Sequence, residues 1–280
     1  MSLIIKRDFH PMKSLLTTLA LTSAATAFGC DNPFGYSYIA ETTKVGHYEF
    51  EQYVTTSVGR DLGAGYDGGY RGYALKSEFE FGLSANEDIQ LYLNQFNLHS
   101  AGRKGFRFDG VDVEYKRMLA NPDKADWGRA YTLELGYSQA DSGSGELRSR
   151  YKFEAKYIFQ HNFGENSPWM YVANIGGEIA YTPSISESTF EVKLTQGIAY
   201  QLNRNWAVGL ECVAVAEWAE FNNFEQSGIL AGPMLNYRKD NFSASLTVMA
   251  QLTGAPANRG RLNVSEFSPL EVRVVASWEF

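Results

Sequence analysis

The chain has 280 residues, 44% of them hydrophobic and 20% charged, with a formal net charge of -7. After the N-terminal stretch no apolar run approaches the ~18 residues of a spanning helix, which excludes a helical membrane bundle but not spanning strands, whose alternation averages to neutral hydropathy. The acidic balance carries no basic patch, which argues against a nucleic-acid partner, and two distant cysteines, Cys30 and Cys212, make no disulfide framework.

Met12-Lys13-Ser14 opens an apolar run from Leu15 to Ala25, and Ala25-Thr26-Ala27 has the small-x-small form of a signal-peptidase site. The pattern predicts a signal peptide over 1–27, with Met12 as an alternative start. Whether Cys30 carries a lipid stays open: a lipobox wants a Leu-like residue three before the cysteine, and Ala27 stands there. Residues 28–46 are aromatic and glycine-rich, and are expected either to lie in the periplasm or to plug a lumen.

From residue 47 onward the chain alternates with period 2 in segments of about ten residues, the signature of a membrane barrel. The predicted strands are 47–58, 70–83, 88–96, 106–118, 130–137, 146–160, 169–181, 188–200, 206–217, 228–238, 242–252 and 271–280. In each, one parity is greasy, as in Val111, Val113 and Tyr115, and the other polar, as in Asp112, Glu114 and Lys116. The parity slips near Gly110, which predicts a bulge. The fold class is therefore all-β, a single antiparallel up-and-down transmembrane barrel of about 12 strands over 47–280. Short turns such as 85–87, 203–205 and 239–241 follow even-numbered strands. Longer stretches, 59–69, 138–145, 218–227 and 253–270, follow odd-numbered ones. The greasy parity ends in aromatics at the turn side of nearly every strand, among them Trp169, Trp206, Tyr237 and Trp278, a girdle suited to a lipid–water boundary.

The ending Val274-Val275-Ala276-Ser277-Trp278-Glu279-Phe280 resembles the C-terminal strand by which outer-membrane proteins are recognised for assembly. Pro33-Phe34-Gly35-Tyr36, Gly46-His47-Tyr48-Glu49 and Leu91-Tyr92-Leu93-Asn94 resemble an uncharacterised family of Gram-negative outer-membrane barrels. That resemblance implies a location in the outer membrane, with lipid and lipopolysaccharide around the wall and the assembly machinery engaged through Phe280. It implies no activity.

On the lumen parity the strands carry thirteen acids, including Glu78, Glu80, Asp112, Glu114, Glu134 and Glu178, and nine bases. Ion pairs bracing the wall are the simplest reading. The sharper one is a basic track along the sixth strand, Arg148, Arg150, Lys152 and Lys156, suited to anions. A phospholipase-like site is disfavoured: His99 and Ser100 are adjacent, so their side chains point to opposite faces. The scattered histidines suggest no metal centre, and Gly63-Ala64-Gly65 lacks the context of a phosphate loop, so no cofactor is expected. The expectation is a passive pore for small polar solutes or a structural envelope protein. An outer-membrane hydrolase and a soluble periplasmic β-sandwich are the alternatives, and the oligomeric state is open.

Overall fold

The computed structural model describes residues 32–63, 69–100, 103–163 and 167–280. The predicted signal and Cys30 lie outside the described residues. Twelve strands follow in chain order: β1 (Tyr48–Val58), β2 (Arg71–Ser84), β3 (Glu87–Ser100), β4 (Arg103–Ala120), β5 (Gly128–Ala140), β6 (Leu147–Asn162), β7 (Trp169–Thr182), β8 (Glu187–Gln201), β9 (Trp206–Ala219), β10 (Asn223–Lys239), β11 (Phe242–Ala255) and β12 (Leu270–Glu279). Each pairs antiparallel with its chain neighbours, and β1 pairs with β12, so the sheet closes with no free edge. At the seam, Tyr48 and Phe280 exchange backbone hydrogen bonds of 3.2 and 2.8 Å.

Alternation decides which way the wall faces. Leu135 and Leu210 are 66% and 60% exposed on the outside, while Glu114 and Thr132 are fully buried inside. A greasy exterior around a polar interior is the inverse of a water-soluble fold and suits a barrel immersed in lipid. Aromatic pairs ring the end at which β1 starts and β12 finishes: Trp169 with Tyr200, Trp206 with Tyr237 and Phe242 with Trp278, at centroid distances of 4.8, 4.8 and 5.2 Å.

The slip near Gly110 is a bulge, since Asn94 faces Gly110 while Gln95 faces Phe108 and leaves Asp109 extra. A side chain at Gly110 would strike the Tyr137 carbonyl, so the close approach demands glycine. Three predicted loops are shorter than expected. The stretch 218–227 shrinks to a turn at 220–222, where Glu220 and Phe221 adopt left-handed backbone, with φ of 48° and 65°. Likewise β5 runs on to Ala140 and β11 to Ala255. Backbone groups still need partners above the greasy band, so the ladders continue where the apolar signal stops.

Candidate functional site in the lumen

Closing a barrel requires the strands to be staggered, so a row of register partners climbs as it passes round the wall. One such row is almost wholly acidic. Glu279 pairs with Glu49, Glu49 with Glu80, Glu80 with Gln90, and Gln90 with Glu114. The row continues through Glu134, Glu154, Glu178 and Glu191 to Glu217, and ends on Gln226. It starts at the terminus-bearing mouth and finishes two residues short of the far end of β9, with steps of about 5 Å, the spacing between strands. Glu217 and the fully buried Asp88 are lumen acids that the sequence count omits, because both sit at strand ends where alternation is faint.

Bases border this row. Lys152 lies 2.5 Å from Glu134 and 3.4 Å from Asp112, and Lys156 lies 3.1 Å from Glu154 and 3.6 Å from Glu114. Lys152 reaches across β5 to Asp112 because Gly136 stands between them; a side chain there would overlap both. Arg150 donates to Glu178 at 2.8 Å. Arg148 sits at the rim, 3.6 Å from Glu146. On β2, Lys76 pairs with Glu78 at 3.1 Å, its ammonium held 4.0 and 4.1 Å from the Tyr53 and Tyr92 ring centroids. All four bases of β6 thus have acidic partners.

Residues 32–43 lie inside the barrel, held chiefly through their main chain. The Glu211 carboxylate accepts the N–H groups of Gly35, Tyr36 and Ser37, each at 2.9 Å, and the Thr247 hydroxyl at 2.8 Å. Asn174 brackets Tyr38, accepting its N–H at 2.7 Å and donating to its carbonyl at 2.9 Å. Gln160 accepts the Ala40 N–H at 2.8 Å, Ser245 donates to the Pro33 carbonyl at 2.9 Å, and Arg273 donates to the Gly35 carbonyl at 2.9 Å. The Thr43 N–H reaches Glu80 at 3.2 Å and Asp88 at 3.3 Å.

Side chains add specificity. Phe34, 1% exposed, fills a pocket of Ile39, Met170, Val172, Ala199 and Met234. The pocket exists because position 197 is glycine: a Cβ there would come within 2.6 Å of the Phe34 ring. The Arg273 guanidinium stacks 3.8 Å from the Tyr36 ring centroid, and the Lys156 ammonium lies 4.0 Å from that of Tyr38. Burial pushes the Tyr36 hydroxyl above its ordinary pKa, so it donates to Glu271 at 3.1 Å as a neutral phenol.

Between this segment and β1–β4 a cavity of about 50 Å³ remains, lined by Glu41, Glu49, Glu51, Glu80 and Lys116 among others, large enough for a few waters. At the far mouth, Leu62 and Tyr70 pack on Phe96, Leu98 and Ala140, and Phe267 packs on Val213, Leu230 and Met249. The three described histidines lie at or beside strand ends. His99 meets the Tyr73 ring edge-on at 6.0 Å, His161 stacks on Trp127 at 4.9 Å, and His47 lies 3.2 Å from Glu279. Cys212 faces outward beside Leu210 parity as a free thiol.

Glu211, Asn174 and Gln160 carry most of the docking. Their inward parity is legible in the sequence, but nothing local distinguishes them from other lumen polar groups.

No curated protein matches the chain. Among solved structures, the COG4313 outer membrane channel from Pseudomonas putida F1 superposes with a TM-score of 0.56 at 11% identity, covering 89% of this chain and all of that one. The NanC porin superposes with a TM-score of 0.50 at 9% identity, covering 82% of this chain and 98% of that one. At such identities the likeness is one of fold, shared with barrels of the outer membrane. By sequence, residues 26–280 match DUF6662, a family of unknown function, and the chain belongs to that family.

Proposed function

We propose that the protein is an outer-membrane channel for small polar solutes, with cations favoured over anions and residues 32–46 acting as a plug that limits the open lumen. The apolar wall would face outer-membrane lipid and lipopolysaccharide, and Phe280 would serve the assembly machinery. The observation that carries the reading is the row of carboxylates from Glu279 to Glu217, running from one mouth to near the other. Carboxylates fixed on low-dielectric walls focus a negative potential, and closely spaced sites let a cation pass from one to the next. The bases of β6 pair with Glu178, Glu134 and Glu154, which weakens an anion path along that strand and neutralises the same stretch of the row, so the negative potential rests on the excess of lumen acids over bases. A hydrolase gains no support from His99, which rests against Tyr73.

Planar-bilayer recording of refolded protein tests this. The expected result is a small conductance whose reversal potential in a KCl gradient reports cation preference. The preference should fall in Glu178→Gln/Glu191→Gln. Anion preference, or no conductance with or without residues 32–46, refutes it.

A further inference from the structure

The wall recognises the inserted segment in an unusual currency. Glu211, Asn174, Gln160, Ser245 and Arg273 all bond to backbone N–H or carbonyl groups. A site that satisfies successive main-chain donors and acceptors is complementary to a peptide as a chemical class, here one bent at Gly35 and Tyr36 so that three consecutive N–H groups converge on one carboxylate. The side-chain demands are few: an aromatic ring for the pocket opened by Gly197, then glycine, whose Cβ position lies 2.7 Å from the Thr247 hydroxyl. Tyrosines two apart then meet Arg273 and Lys156.

From this we infer that the lumen is a peptide-binding site, which the chain's own residues 33–43 occupy in cis and which takes a free peptide of the same pattern in trans once that segment is released. The inference deepens the channel reading by naming the ligand class of its interior, and rests on that reading only for what occupancy does to conduction. The geometry of the tether makes release possible. Residues 44–47 are exposed as they pass from the lumen to β1, pinned by a bridge from Val45 to Gly82, and Val45 is 57% exposed. Cutting there severs the segment from β1 while every strand ladder stays intact.

The test uses the full chain with a protease site inserted between Val45 and His47, folded in detergent and then cut. The cut segment is expected to stay with the barrel through gel filtration and to exchange with a fluorescent peptide of residues 32–43, read by anisotropy. Peptides N-methylated at the Tyr36 and Ser37 amides keep every side chain but lose two donors to Glu211, and are expected to bind at least tenfold more weakly. If the insertion prevents folding, the same peptides are titrated onto full-length Phe34→Ala, whose own segment is less firmly seated. Loss of the cut segment from a barrel that still shows heat-modifiable migration overturns the inference, as does equal binding of the N-methylated peptide. Anisotropy does not depend on conduction. A non-conducting barrel that binds peptide therefore sinks only the channel reading, and a conducting one that binds none sinks only this inference.

Discussion

Replacing Glu211 by glutamine isolates the docking of the inserted segment from the folding of the wall. One carboxylate oxygen accepts Gly35 and Thr247, and the other accepts Tyr36 and Ser37. The least costly placement of the new NH2 group is toward Gly35 and Thr247, because the threonine hydroxyl can turn to accept while the amide of Gly35 cannot. That amide is left buried without a partner, at a cost of ~1–3 kcal/mol. The bonds to Tyr36 and Ser37 lose their charge assistance, roughly half the strength of each. The total is about 3 kcal/mol, which converts to ~100-fold more undocked segment. Chymotrypsin reads this directly, because Phe34, Tyr36 and Tyr38 are sheltered when docked and cleavage follows the open population when reclosing is fast. The expected outcome is a cleavage rate up ~100-fold with heat-modifiable migration unchanged. A rate equal to that of the parent chain would refute the assignment of Glu211 as the principal clasp.

Phe34→Ala should loosen the same segment by about 3–5 kcal/mol, the usual cost of truncating a buried phenylalanine, and Gly197→Val should expel the ring; both raise chymotrypsin cleavage without dissolving the barrel. Lys152→Met leaves Asp112 and Glu134 without their shared base, and should lower stability by about 3 kcal/mol in urea unfolding. Arg148→Met, which removes only a rim pair, should change it by less than ~1 kcal/mol; similar losses for the two would contradict the pairing scheme. Ile175→Arg sets a charge on the outer face and should cost ~2–4 kcal/mol when the protein refolds into vesicles. A neutral effect there would mean that this surface does not meet hydrocarbon.

The strand count, the wall's two faces and the bulge beside Gly110 are legible in the sequence because alternation is a local property. The limits of β5, β10 and β11 are not, since register shifts between Ser138 and Ala140, Phe224 and Gln226, and Ile229 and Leu230 break the alternation near those ends. Side-chain partnerships span strands and leave no local trace. Lys152 is visibly inward-facing on β6, yet its partner Asp112 is two strands away and reachable only across Gly136. Phe34-Gly35-Tyr36 is conspicuous, but its clasp, Glu211, lies 176 residues from Gly35. Each glutamate of the acidic row can be placed on the inner parity of its strand; that they share one row depends on register, which no single strand encodes.

The same row has a consequence for assembly. If any one strand slid by a single residue against its neighbours, its side chains would exchange faces and its glutamate would be thrust into hydrocarbon. Because the nine glutamates occupy nine different strands, nearly every seam of the cylinder carries such a penalty for misalignment. Residues that give the interior its charge therefore also act as alignment marks, by which a nascent barrel distinguishes its own shear from those one step away.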